Sequence, residues 1–170
     1  RNWQEQEQAR ERLVFEEFFL FHLGLQRGAR TTPGVVHAPD GELVERYLQS
    51  LPFELTTGQK NALRDVAQDM ESPLAMRRLI QGEVGSGKTI GAEYGAVKAV
   101  ENGGQVAMMV PTEVLARQMV QRLTSALQSL GITVELLIGN MTGKEQTRVR
   151  TGIEEGLIQV VVGTHALITD

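Results

Sequence analysis

The rhythm of apolar and polar positions changes twice along this chain. From Gln4 to Gln26 the apolar residues return at helical spacing, with Val14, Phe18, Phe21 and Leu25 on one stripe, Phe15 and Phe19 beside it, and charges crowded into the leading turns. This pattern predicts a helix whose apolar face needs a partner. Residues 27–40 carry Gly28, Thr31, Thr32, Pro33, Gly34, Pro39 and Asp40, which is the composition of a loop. Gly41 to Ser50 reads as a short helix that stops where Leu51 meets Pro52, because a residue before proline is driven out of the helical region. Trp3, Phe15, Phe18, Phe19, Phe21, Tyr47 and Phe53 all lie in the first third, and only Tyr94 follows them. Two regions with different packing are joined, and the boundary falls near Pro52.

After Pro52 helical stretches alternate with short aliphatic or β-branched runs, the pattern of a parallel α/β sheet. The spacing predicts helices over Thr57–Met70, Gly87–Glu101, Glu113–Leu130 and Thr142–Glu155, and strands over Arg78–Gln81, Gln105–Val110, Thr133–Ile138 and Gln159–Val162. Asn102-Gly103-Gly104 and Leu130-Gly131 supply the glycines expected just past helix ends. No internal repeat is visible.

Composition narrows the chemistry. The 170 residues, 41% hydrophobic and 22% charged, are enough for one domain, or one domain with an appendage, and far from the profile of a disordered tract. With no cysteine and only His22, His37 and His165, there is no thiolate metal site, no cysteine nucleophile and little material for a metal cluster. The net charge of -4 shows no global field for nucleic acid, although a local track on one face would be hidden in that total. Apolar runs such as Val106–Pro111 are much shorter than the roughly 20 residues that span a bilayer. The start, Arg1-Asn2-Trp3-Gln4-Glu5, has neither a signal-peptide core nor an initiator methionine, so a cytoplasmic protein is expected, and an internal piece of a longer chain.

The strongest chemical signal is Gly82-Glu83-Val84-Gly85-Ser86-Gly87-Lys88-Thr89, a G-x-x-x-x-G-K-[ST] loop between an expected strand and an expected helix. Gly85 and Gly87 permit backbone angles denied to side chains, so that successive amides of the loop point at phosphate oxygens. The helix behind the loop adds its positive end. Lys88 brings a point charge for the β- and γ-phosphates, and the Thr89 hydroxyl is placed to ligate Mg²⁺ between them. As an ordinary glycine-rich turn the segment would leave the Lys88-Thr89 pair without a purpose.

Two flanking segments gain meaning beside this loop. In Phe53-Glu54-Leu55-Thr56-Thr57-Gly58-Gln59, Thr56 or Thr57 caps the next helix, whose Leu63, Val66, Ala67 and Met70 share a face, and Gln59 can be solvent-facing. Next to a phosphate loop, the Gln59 amide can instead bond both N6 and N7 of adenine while Phe53 stacks on the ring. Pro111-Thr112 likewise starts a helix with an ordinary cap, or uses that helix start to hold a nucleic-acid phosphate at the carboxyl edge of the sheet. Gly163-Thr164-His165 ends the last expected strand at the same edge. Lys144, Arg148 and Arg150 read as a solvated helix face.

Taken together, these segments resemble superfamily 2 helicases, and most closely those that act on branched DNA. The resemblance is carried by Leu51-Pro52-Phe53-x-Leu55-Thr56-x-x-Gln59, by Met76-Arg77-Arg78-Leu79-Ile80-Gln81 leading into the loop, by Val110-Pro111-Thr112-Glu113-x-Leu115-Ala116-x-Gln118, and by Val161-Val162-Gly163-Thr164-His165-Ala166-Leu167. Glu83 stands where the family usually has aspartate, a conservative departure. The resemblance implies a motor of two RecA-like domains in which ATP and Mg²⁺ drive translocation on duplex DNA, regression of replication forks and branch migration of Holliday junctions. It makes residues 1–52 a helical linker following a DNA-binding wedge domain, and residues 53–170 the first part of the first RecA-like domain. It places the acidic box that activates water, and the arginine finger of the second motor domain, beyond Asp170. It also implies phosphate, Mg²⁺ and base contacts at Phe53, Gln59 and Gly82 to Thr89, and DNA contacts at Pro111, Thr112, Gly163, Thr164 and His165. Two alternatives stand beside it: the related motor of a transcription-repair coupling factor, and a non-motor P-loop protein. The arginine-rich lid of a nucleotide kinase and the guanine-reading Asn-Lys-x-Asp of a GTP switch are not found in the sequence.

Overall fold

The computed structural model of the chain describes residues 3–28 and 32–168, without the side chains of residues 4, 5 and 25–28. Arg1, Asn2, Thr31 and Asp170, together with the Leu25 side chain of the expected stripe, lie outside that description. Helix α1 (Trp3–Gly28) forms where the periodicity places it. None of the described residues covers its aromatic stripe: Phe18 and Phe21 are 63% and 62% exposed, and Phe15 and Phe19 stack on one another with ring centroids 5.9 Å apart.

From Thr32 onward the chain packs into a main core and a smaller cluster of Leu137, Val149, Ile158 and Val161. Pro33 bridges Leu74, and the amides of Gly34 and Ala75 donate to the carbonyls of Pro73 and Thr32, so this strap lies against the turn after α3 (Thr57–Met70). Helix α2 (Glu42–Ser50) buries Val44 and Tyr47 and ends at Leu51, whose extended backbone satisfies the demand of Pro52. No side chain of its own caps it; the carboxylate of Glu101, at the far end of α4 (Thr89–Glu101), accepts from the amides of Gly41 and Leu43 at 2.9 and 2.6 Å. Val44 and Tyr47 share their core with Val66 of α3 and Tyr94 and Val97 of α4. Packing therefore runs across Pro52.

The sheet is parallel, in the order β1 (Val106–Met109), β3 (Val160–Gly163), β2 (Val134–Leu137). Val106 and Val134 flank Val160, and Met109 and Leu137 flank Gly163. The unbroken apolar run of β3 makes it the central strand, buried at all four positions, whereas β1 and β2 keep partly exposed residues. Helices α5 (Glu113–Leu127) and α6 (Gly143–Glu154) return the chain between strands, and each starts at a threonine cap, Thr112 and Thr142. A short 3₁₀ turn, Gln128–Leu130, ends the expected Glu113–Leu130 helix, and Gly131 leaves it with φ of 76°.

One expected strand is not a strand. Arg78–Gln81 carries no regular secondary structure and joins no ladder among the described residues, and Leu79 is 78% exposed. A strand needs a backbone alongside, and periodicity cannot report one. Side chains hold this segment instead. Arg78 donates to both carboxylate oxygens of Asp69 at 2.6 and 3.0 Å and to Asp65 at 3.2 Å, while Ile80 packs against the core. The hydrogen bonds from Arg78 hold the Asp69 carboxyl below the usual carboxylate range.

Two stability predictions follow from the packing. The Lys98 ammonium is fully buried and donates to Asp40 at 2.7 Å and Glu71 at 2.9 Å. Burial alone would depress it, but the two carboxylates outweigh that and raise it above the ordinary lysine value. A group raised in this way contributes below its unfolded pKa, near 10.4, and its contribution is lost only as pH rises through the folded value. Lys98→Met should therefore cost about 2 kcal/mol in urea melts, less than a fully buried orphan charge because both carboxylates keep some water, and the loss should be flat between about pH 6 and 9. At Gly163 a Cβ would run into the Leu137 carbonyl of the neighbouring strand. Gly163→Ala should destabilise by about 2 kcal/mol in the same assay, through overpacking at the β2–β3 ladder.

Candidate nucleotide and nucleic-acid sites

The loop that precedes α4 is shaped by two residues without side chains. Gly85 and Gly87 take φ of 84° and 81°, the left-handed region closed to most residues. Between them the Ser86 amide donates to the Glu83 carbonyl at 3.2 Å, and Val84 stands fully exposed at the tip. The Lys88 ammonium donates to the carbonyls of Gly82 at 2.8 Å and Glu83 at 2.7 Å, so the lysine closes the loop on itself with one of its three hydrogens still to place. Helix α4 begins with Thr89 rather than near Gly87. Whereas α3, α5 and α6 each have a threonine side chain accepting from their first turn, α4 has no side-chain cap. Its leading turn is closed by backbone alone, the Ile90 and Gly91 amides donating to the carbonyls of Gly87 and Lys88 at 3.0 and 3.2 Å, with the positive end of the helix toward the glycine loop.

Gln59 joins α3 to this loop. Its Oε1 accepts from the Thr56 amide at 2.9 Å and Thr56 Oγ1 accepts from the Gln59 amide at 3.3 Å, a reciprocal cap. Its Nε2 donates to the Ser86 carbonyl at 2.9 Å. Gly87 leaves the room for this, since a Cβ there would stand 2.6 Å from Gln59 Nε2. Between the two elements lies a cleft of about 260 Å³, with Thr56, Gly58 and Gln59 on one side and Gly82, Gly87 and Lys88 on the other. Phe53, half exposed, is not among its lining side chains.

The second group of candidate residues meets at the carboxyl edge of the sheet. The Val110 amide donates to the Gly163 carbonyl at 2.9 Å, tying the end of β1 to the end of β3 and placing Pro111-Thr112 beside Thr164-His165. Thr112 Oγ1 accepts from the Leu115 amide at 3.3 Å as the cap of α5. Thr164 leads into a single 3₁₀ turn, His165–Leu167, in which His165 is exposed. Because α4, α5 and α6 each end where a strand begins, their first turns all stand toward this same edge. Arg148, on the face expected to be solvated, forms a bidentate pair with Glu135 of β2 at 3.0 and 3.2 Å.

Sequence reasoning missed a set of buried polar residues on α4. Glu93 is 3% exposed; its two oxygens accept from Tyr47 Oη and Arg122 Nε, each at 2.7 Å. Burial, and then the bond to Glu93, push the Tyr47 phenol well above its ordinary value, and burial with Asp40 does the same to Tyr94. Tyr94 Oη donates to the Asp40 carboxylate, at 2.7 and 2.8 Å, beside Lys98. The signal was present: in a helix apolar on nearly every face, Glu93 and Lys98 have no way out to water and must be paired.

Comparisons with known proteins agree with this geometry. The family model described as DEAD/DEAH box helicase matches residues 56–170. The ATP-dependent DNA helicase RecG of Thermotoga maritima is 42% identical over 167 residues, an alignment covering 96% of this chain and 21% of that protein. RecG of Bacillus subtilis is also 42% identical, over 95% of this chain and 24% of its own length. A solved structure of RecG bound to a three-way DNA junction superposes with a TM-score of 0.85 at 40% identity, covering 99% of this chain and 24% of that one. The helicase MrfA bound to DNA and AMPPNP, at 16% identity and a TM-score of 0.59, shares the fold alone. The chain thus spans about a fifth to a quarter of the curated relatives it matches. A parallel sheet, a glycine loop before an uncapped helix, and a family model matching more than half of the sequence lead to one conclusion: the chain belongs to the DEAD/DEAH box helicases, forms part of a RecA-like α/β domain, and within that family matches RecG.

Proposed function

We propose that this chain is the nucleotide-binding part of an ATP-dependent DNA helicase that translocates on branched duplex DNA, such as replication forks and Holliday junctions, during recombination and repair in the cytoplasm. The observation that carries the reading is the first turn of α4, without a side-chain cap, behind a loop that Gly85 and Gly87 turn through the left-handed region. No side chain competes at this helix start, and the Ile90 and Gly91 amides are held by short-range bonds to the Gly87 and Lys88 carbonyls that an anion can share. The RecG neighbour's three-way junction supports branched DNA as the substrate. No described helix is long and apolar enough to cross a membrane.

In this reading the amides from Gly82 to Thr89 cradle the phosphates, Lys88 exchanges its carbonyl partners for phosphate oxygens, and the Thr89 hydroxyl holds Mg²⁺. Bound Mg²⁺ supplies charge neutralisation at the β- and γ-phosphates. Gln59 offers its amide to adenine by exchanging the Ser86 or the Thr56 bond, and Phe53, three residues before Thr56 and outside the cleft's lining, turns onto the ring when the base is bound. Pro111, Thr112, Gly163, Thr164 and His165 meet DNA phosphates at the sheet edge, one loop away from Lys88. A wedge domain and a second motor domain complete the machine.

Lys88→Ala in the full-length protein should reduce ATP hydrolysis, measured at steady state with branched DNA, by at least about a hundredfold, since a positioned cation at a transferred phosphate contributes several powers of ten. Retention of more than about a tenth of the rate would remove Lys88 from that role. Gln59→Ala should weaken ATP more than GTP in competition binding, by roughly 5–150-fold for a bidentate contact. Equal losses for the two nucleotides would confine Gln59 to capping α3 and bracing Ser86.

A further inference from the structure

We propose that Glu93 is a positioning residue that locks the phosphate-binding half of α4 to the trailing half of α5, the helix whose leading end is capped by Thr112, through its paired bonds to Tyr47 and Arg122. The inference rests on the function proposed above and concerns how its two sites communicate.

Glu93 lies one helical turn after Thr89, on the helix that starts at the phosphate loop. Arg122 lies on α5, the helix capped by Thr112 at the sheet edge, and Tyr47 on α2, which packs against both. One carboxylate therefore bonds two other helices at once: Oε2 accepts from Tyr47 and Oε1 from Arg122, each at 2.7 Å. The Glu93 and Tyr47 side chains are buried, and the Arg122 guanidinium reaches in from the surface.

Packing alone does not call for this arrangement. The core that α4 and α5 share includes Ile90, Tyr94 and Val97 from one helix and Leu123 and Leu127 from the other, and at the buried Glu93 position an apolar side chain of similar size would add to it without desolvating a charge. What a buried, fully bonded carboxylate adds is direction. Its acceptors fit one relative placement of α2, α4 and α5, and sliding α4 against α5 leaves a charge unpaired. Apolar contacts tolerate such sliding far better. A shift of α4 on taking up phosphate is then passed to α5, and through that helix to the Thr112 cap, rather than absorbed at the interface.

The test measures coupling in the full-length protein. Affinity for branched DNA is determined by fluorescence anisotropy with and without AMPPNP and Mg²⁺, in wild type, E93Q, R122M and R122K, with thermal melts to confirm folding. The wild type should show a nucleotide-dependent change in DNA affinity of at least about fivefold, the lower end of ordinary coupling between sites. R122M, which leaves the buried side chains in place, should bring that ratio below about twofold while nucleotide affinity without DNA stays within about threefold, and R122K should restore much of it. E93Q should behave as R122M does if it folds. A full ratio in folded R122M overturns the positioning role and leaves the proposed function standing. A wild type that binds neither nucleotide nor branched DNA overturns both.

Discussion

Lys98 places an ammonium where no water reaches it, and the surroundings of α4 are organised by the need to answer that charge. Asp40 answers from the strap before α2, and Glu71 from the end of α3. Asp40 is in turn fixed by Tyr94, one turn back along α4. A helix this apolar could pack in several rotations about its axis, but one in which Lys98 lacks either carboxylate is strongly disfavoured. The ammonium thereby fixes which face of α4 meets the strap and at what height.

Other polar residues extend the same logic along the helix. Glu101 caps α2, Asn102 accepts from the Ala38 amide at 2.7 Å, and Glu93 ties α2 to α5. Each bond joins α4 to chain outside it. The helix that starts at the glycine loop thus has its rear anchored at several points. Preorganisation of this kind matters for an anion site, because amides that must first be brought into place bind with that ordering cost deducted.

Much of this was legible in the sequence. The helix starts at Thr57 and Glu113 are announced by Thr56 and Thr112, and the central strand by Val160-Val161-Val162-Gly163, because caps and burial are encoded by residue type over short spans. The glycine loop was readable for the same reason, as Gly85 and Gly87 occur where their angles are required. Illegible were the relations between distant segments. Arg78–Gln81 has the composition of a strand, but a ladder depends on a neighbour that composition does not name. Gln59 could be read as a base contact or a cap; its bond to Ser86, 27 residues away, belongs to neither local pattern. The ties from Lys98 and Glu93 to Asp40, Glu71, Tyr47 and Arg122 were hidden likewise, although the two charges in an apolar helix advertised that partners had to exist.

The order of the strands carries a consequence for how the sheet comes into being. The last strand among the described residues is the middle one in space: β1 and β2 each pair with β3, and neither pairs with the other. A ribosome that has delivered β1, α5, β2 and α6 has delivered two strands with nothing between them. Their ladders close only when Val160–Gly163 emerges and inserts between both, a pairing of high sequence separation, of the kind that slows folding. Gly163, the final residue of that strand, sits where the Leu137 carbonyl comes nearest. The missing side chain there leaves the closing strand free to slide home.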